Sequence, residues 1–401
     1  MSADVPPAEV SAAAHEVATS RELPLLLAVN FAFGIAFSIF VLLPKILAST
    51  LHVGPEGIGL VMSMFSFAGL GAVPFVGARV DRPGRPRVIV GGTALMLVAS
   101  LGFLAVDHVG LLAMVLRGAQ GAAYTIVFVT GAALAADLAP PGRMARTMAL
   151  YGSANLITNA VAPLFAEPMI DRFGPASAYV AAAVASLASG LFAARLAERP
   201  RAHAHPVGAA ASLWTVARRG RAVRMVIAIG LSGVALGAMF TFSQPMALSL
   251  GIRHVSGFFV AYTIAVIFVR LGLRDLIDRV GPQRACVGAL GLYVVVVFSM
   301  RFLGVGPLGL SAFGAAFGVA HGFLFPAAMA LSIADLPPAE RGRMLTLTNA
   351  GFIGGGAFVL PLGGVAAHAG YPTLYALCAT CALAAAALLW RWPIVGPRAL
   401  P

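Results

Sequence analysis

Gly77-Ala78-Arg79-Val80-Asp81-Arg82-Pro83-Gly84-Arg85-Pro86-Arg87 stands between two apolar runs, and a near copy stands at Arg274-Asp275-Leu276-Ile277-Asp278-Arg279-Val280-Gly281-Pro282-Gln283-Arg284. Both hold Asp-Arg-x-Gly with a further Arg close behind, at an offset of 197 residues. A second pair agrees: Asp137-Leu138-Ala139-Pro140-Pro141-Gly142-Arg143 and Asp335-Leu336-Pro337-Pro338-Ala339-Glu340-Arg341 lie 198 residues apart. Ala162-Pro163-Leu164 and Leu360-Pro361-Leu362 share that offset. Three landmarks at one offset mark an internal duplication, so the chain reads as two halves of one fold.

Composition says what the halves are made of. Of 401 residues, 60% are apolar and only 10% charged. A soluble domain averages about 25% charged residues, so this chain cannot cover a water-facing surface of its size. A membrane-spanning helix needs about 20 mostly apolar residues. Twelve stretches qualify: 23–49, 57–78, 88–106, 111–136, 145–167, 176–196, 222–249, 255–273, 285–303, 308–334, 344–367 and 372–392. The fold class is therefore an all-α membrane protein, twelve helices in two pseudo-symmetric six-helix bundles. The expected organisation is a tail at 1–22, a bundle at 23–196, a basic linker at 197–221, a second bundle at 222–392 and a tail at 393–401. Asp4, Glu9 and Glu16 precede the first basic residue, Arg21, so the first twenty residues are not expected to be a signal peptide. Gly314, Gly318 and Gly322 recur every fourth residue, as do Gly351 and Gly355, a pattern that lets helices pack closely.

The net charge of +12 does not indicate a nucleic-acid partner, because the basic residues sit in short loops between spans. With both termini on one side, that side holds twenty-one of them, including Arg79, Arg82, Arg85, Arg87, Arg143, Arg279 and Arg341. The other side holds four: Lys45, Arg172, Arg253 and Arg301. The positive-inside rule makes the richer side cytosolic, as expected for a multi-pass protein of the inner (plasma) membrane with both termini in the cytosol. Lys45 is the sole lysine. No Walker-type loop is present, so ATP hydrolysis by that route is excluded. His203 and His205 lie in the linker, and Cys378 and Cys381 in an apolar helix; neither pair is read as a metal site, and no cofactor is expected.

Repeats of this kind, related by an axis along the membrane normal, belong to carriers that rock one half against the other around a central site. The loop 77–87 resembles the signature Gly-x-x-x-Asp-Arg-x-Gly-Arg-x-x of the major facilitator superfamily, matched by Gly77, Asp81, Arg82, Gly84, Arg85 and Arg87. Arg117-x-x-Gln120-Gly121 resembles the Arg-x-x-Gln-Gly motif of its proton-coupled members. Ala320-His321-Gly322-Phe323-Leu324-Phe325-Pro326 adds a likeness to bacterial efflux permeases related to sugar and drug exporters. Two departures are visible: Arg274 stands where the signature has Gly, and span five reads Ala162-Pro163-Leu164-Phe165-Ala166 where the antiporter motif has Gly-Pro followed by Gly-Gly. The resemblance implies proton-coupled efflux of a small amphipathic compound by a monomer. The alternative is a carrier of a small organic anion bound by Arg117.

Individual residues follow from the cost of polarity in lipid. A charge within a span costs on the order of 2.5–3.5 kcal/mol on insertion scales, so Arg117 is expected to have a function or a partner. Three fates are open to it: an anionic substrate, a network with Gln120 and Asn30, or a carboxylate such as Glu167. None of the 15 acidic residues lies near mid-span; Glu167 and Asp171 come closest. Arg270, beside Asp275 and Asp278 at a span end, is read as paired or snorkelling. His321 is the one deep histidine. It is read either as a carrier of a coupling proton or as a hydrogen-bonded packing residue, and Glu167 is the other coupling candidate. Asn30, Tyr124, Asn155, Gln244 and Asn349 are expected to line the central cavity. Asp81, Arg82, Arg85 and Asp137, with Asp278, Arg279 and Asp335 in the second half, are expected to form a cytosolic gate. In it Asp81 would face the start of span eleven near Met344, and Arg85 would pair with Asp137.

Overall fold

The glycines of the duplicated loops show why the sequence repeats there. Gly84 and Gly281, the last residues of the two Asp-Arg-x-Gly copies, have φ of 95° and 90°. Each stands directly before a helix with Pro in its first turn. A side chain at that φ is strained, whereas glycine adopts it freely, and proline is suited to the first helical turn. The pair is thus a turn-and-restart device used once in each half.

The computed structural model describes residues 7–80, 84–140, 143–197, 217–218, 220–304, 306–334 and 336–391. The first half comprises α1 (Pro7–Ile39), α2 (Pro55–Val80), α3 (Arg85–Gly102), α4 (Leu111–Asp137), α5 (Met144–Phe173) and α6 (Pro175–Ala193). The second comprises α7 (Gly220–Ser249), α8 (Ser256–Gly272), α9 (Pro282–Ser299), α10 (Gly306–Ile333), α11 (Pro338–Gly355) and α12, the part of Val359–Trp390 after Gly370. The span begun by α1 continues through a 3₁₀ turn, Phe40–Leu42, into a short helix, Leu43–Ser49. A further short helix, Arg274–Val280, follows α8. Among the described residues there is no strand.

Nine helical runs among the described residues are long and apolar enough to cross a bilayer, and one of these, Glu340–Trp390, is broken in two by the non-helical Gly370. Ser256–Gly272 is a shorter apolar helix. Met144–Phe173 has the length of a span and carries Arg146, Glu167, Asp171 and Arg172. Together these make twelve spans.

Helix ends differ from the expected ones in two useful places. The backbone is helical from Pro7, inside the stretch expected to be a tail. Helix α5 runs to Phe173 rather than 167, which puts Glu167 and Asp171 on one continuous helix, one turn apart. The linker's residues 198–216 and the tail after 391 lie outside the described residues.

Close packing repeats with the sequence. A Cβ on Gly121 of α4 would lie 2.0 Å from the Phe65 carbonyl oxygen of α2; one on Gly318 of α10 would lie 2.3 Å from the Tyr262 carbonyl oxygen of α8. Both residues of the second pair follow those of the first by 197 positions. Lipid supplies no hydrophobic drive between helices, so association relies on close van der Waals contact, for which small residues are needed. Gly121, part of the motif at 117–121, is thereby explained by packing.

Candidate substrate and gating sites

Arg117 occupies the first half of α4 with only 4% of its surface exposed. Its Nη1 donates to Gln120 Oε1 at 2.8 Å, one helical turn on. Its guanidinium carbon lies 4.8 Å from the centre of the Phe65 ring, a cation–π contact. Two buried donors remain unused: Arg117 Nε and Gln120 Nε2 have no hydrogen-bond partner. Among the described residues no carboxylate lies within salt-bridge distance of this guanidinium. An aromatic row continues from it, with Phe65 5.4 Å from Phe37, Phe37 4.6 Å from Tyr124, and Tyr124 stacked on Phe128 at 5.5 Å. Chemically this is a cation with spare donors at one end of an aromatic wall.

The expected network of Arg117, Gln120 and Asn30 contracts to its first two members. Asn30 Nδ2 donates to the Tyr151 carbonyl at 2.6 Å and ties α1 to α5. The same seam holds Ser38, whose Oγ meets Thr158 Oγ1 at 3.0 Å and Asn159 Oδ1 at 3.1 Å, and Asn155, whose Nδ2 faces Gly34. Asn30 and Asn155 were expected on the cavity wall; the structure buries both between helices. Gln244 lies where the two halves meet. It is fully buried, and its Nε2 donates to the Val41 carbonyl at 2.8 Å, across the two halves. A buried amide needs partners; Asn30 Nδ2 and Gln244 Nε2 find them on neighbouring backbones, whereas Asn30 Oδ1 and Asn155 Nδ2 have none. Tyr124 and Asn349 keep partial exposure.

His321 of α10 is almost fully buried, with Nδ1 and Tyr293 Oη 2.7 Å apart. The rings of Tyr262, Phe325 and Phe352 surround it with centroids 5.9, 6.1 and 5.6 Å away. Arg270, near the end of α8, sits 5.8 Å from the Phe325 ring, and its buried Nε has no hydrogen-bond partner. The side chains of Asp275 and Asp278, its expected partners, lie outside the described residues.

Glu167 does not reach Arg117. It is 1% exposed, and Lys45 Nζ donates to its Oε1 at 2.8 Å. The same ammonium donates to Asp171 Oδ1 at 3.0 Å. The backbone N–H groups of Val255 and Ser256, where α8 begins, donate to Glu167 Oε1 and Oε2 at 2.8 and 2.9 Å. A first-half carboxylate thus caps a second-half helix, where partial positive charge favours it. Sequence reasoning assigned Lys45 no role. The available signal was its singularity: one lysine among 27 basic residues, placed within a span.

On the opposite, Arg-rich face, Arg85 forms an ion pair with Asp137. Arg279 is exposed, on the short helix after α8. Asp81, Arg82 and Asp335 lie outside the described residues, as does the Asp278 side chain.

Comparison with known proteins matches residues 25–313 to the model of the Major Facilitator Superfamily. No curated protein matches in sequence. Among solved structures, a mutant of the nucleoside transporter NupG superimposes with a TM-score of 0.80 at 15% identity, over 92% of this chain and 99% of that one. A bacterial homolog of the human lysosomal transporter Spinster, inward-facing and occupied, gives 0.73 at 12% identity, over 94% and 99%. The human organic anion transporter MFSD10 gives 0.66 at 17% identity, over 92% and 99%.

Proposed function

Because the chain belongs to the Major Facilitator Superfamily and is therefore a membrane transporter rather than an enzyme, we propose that it carries a small organic anion with an aromatic or amphipathic body. The cargo binds at Arg117, and the two bundles open alternately to either face. The observation behind this reading is the pair of unused buried donors, Arg117 Nε and Gln120 Nε2, beside a cation without a carboxylate among the described residues. Leaving a buried donor unpaired costs about 1–3 kcal/mol. A carboxylate or sulfonate placed there satisfies both donors and the charge. The row Phe65, Phe37, Tyr124 and Phe128 offers its body an aromatic wall. One protein of the same fold is described as an organic anion transporter, so the fold accommodates such cargo. We place the Arg-rich face in the cytosol on the positive-inside rule, with the protein acting as a monomer in the plasma membrane.

Calorimetric titration of the purified protein with aromatic carboxylates, their uncharged amides and cationic amphiphiles tests the proposal. Binding confined to the carboxylates, and lost in Arg117→Gln, is the expected result. Equal binding of amides or cations to both proteins refutes it.

A second reading, proton-coupled efflux of a small amphipathic compound, is favoured by His321, a span-embedded imidazole bonded to Tyr293 and ringed by aromatics. In sealed vesicles this reading requires solute flux to move protons in the wild type and not in His321→Gln.

A further inference from the structure

On the Lys45 face, side-chain hydrogen bonds join the two halves. Gln244 Nε2 donates to the Val41 carbonyl at 2.8 Å, and the Lys45 backbone N–H donates to Gln244 Oε1 at 3.3 Å. Glu167 accepts from the Val255 and Ser256 amides. Two exposed pairs flank these, His254 with Asp171 at 3.7 Å and His368 with Glu56 at 3.3 Å, each joining one half to the other when the imidazole is protonated. The backbones meet closely here as well: a Cβ on Gly59 of α2 would lie 2.7 Å from the Val359 carbonyl oxygen.

We propose that Lys45 and Glu167 are the positioning residues of a seal that closes the pathway on this face, and that opening toward it requires Glu167 to leave the start of α8. The roles divide by half. The first half supplies all the buried charge, with Lys45 flanked by Glu167 and Asp171. The second half supplies backbone amides at the beginning of a 17-residue helix, Ser256–Gly272. Lys45 compensates the charge of Glu167 within its own half, so the carboxylate stays ionised and aimed whichever way the bundles rock. When the halves separate on this face, Glu167 keeps Lys45 and loses both amides. Each charge-assisted bond lost shifts the closed-to-open ratio on the order of tenfold. Asp171 is half exposed and holds Lys45 from the rim. The inference rests on the transporter reading, and it is independent of the cargo.

The test uses thiol labelling without substrate, so that a failure of the anion proposal cannot affect it. Cys286, Cys378 and Cys381 are replaced by Ser, and Phe240→Cys introduces one thiol one helical turn from Gln244, deeper in α7. A membrane-impermeant thiol reagent is applied in sealed vesicles from the Lys45 face only. Labelling is expected to quicken about tenfold or more in Glu167→Gln and in Lys45→Met, to stay at the wild-type rate in Lys45→Arg, and to quicken less in Asp171→Asn. Unchanged labelling in both Glu167→Gln and Lys45→Met overturns the proposal, as does equal quickening in Arg301→Gln, which lies on the same face outside the cluster. Hydrogen exchange at the Val255 and Ser256 amides gives a second readout. Those amides should lose protection in Glu167→Gln, and full protection there sinks the idea. Should both buried variants fail to give a monodisperse protein, Asp171→Asn decides: quickened labelling supports the seal and the wild-type rate refutes it.

Discussion

Replacing Arg117 by glutamine separates a substrate-binding arginine from a structural one, because the two roles have opposite consequences for the empty protein. In the empty site the substitution removes a charge whose presence in a span costs on the order of 2.5–3.5 kcal/mol. It also removes the bond to Gln120 and the contact with the Phe65 ring, together worth about 2–4 kcal/mol. These nearly cancel, so the empty variant should unfold within about 1 kcal/mol of the wild type. A bound carboxylate loses more. Its charge-assisted bonds to the guanidinium are worth about 1.5–3 kcal/mol each, and the glutamine amide returns one neutral bond of about 1 kcal/mol. The net loss of about 2–4 kcal/mol raises Kd roughly 30- to 700-fold. Ligand at one hundred times the wild-type Kd stabilises the wild type by about 2.7 kcal/mol; a hundredfold weaker Kd leaves about 0.4 kcal/mol. Calorimetry gives Kd, and thermal unfolding with and without ligand gives both stabilities. A variant Kd within threefold of the wild type, or an empty variant that loses several kcal/mol, would show that Arg117 holds the helices and not the cargo.

Asp137→Asn breaks an ion pair whose acid is nearly half exposed; such pairs contribute at most about 1 kcal/mol, so the melting temperature should hold while transport in proteoliposomes falls severalfold. Unchanged transport would reduce Arg85 and Asp137 to surface charge. Gly121→Val forces a side chain into the Phe65 backbone and should cost about 1–3 kcal/mol or more, whereas Gly91→Ala, with open space beside it, should stay within about 0.5 kcal/mol; thermal unfolding in detergent compares them. Tyr293→Phe leaves the His321 ring nitrogen without its partner and should destabilise by about 1–3 kcal/mol, read in the same assay.

The sequence by itself determined the two-fold repeat, the twelve spans and the positions at which helices must turn and restart. Those features are local. An apolar run of sufficient length has few fates in lipid, and Gly before Pro at a turn reads the same wherever it occurs. The isolation of Arg117 was also legible, since no acidic residue lies near mid-span. Tertiary structure decided what each polar residue faces. Asn30 and Gln244 resembled cavity residues and became seams, because the rotation of a helix about its axis, which the apolar pattern hardly constrains when the helix is buried all round, chooses between water and a neighbouring backbone. The Lys45–Glu167 pair spans 122 residues, and the Glu167–Ser256 bond spans 89 and crosses from one half to the other. Their meeting depends on which helices lie side by side and how the two bundles lean together, so only the assembled fold turned a solitary lysine and a carboxylate at a helix end into a contact between the halves.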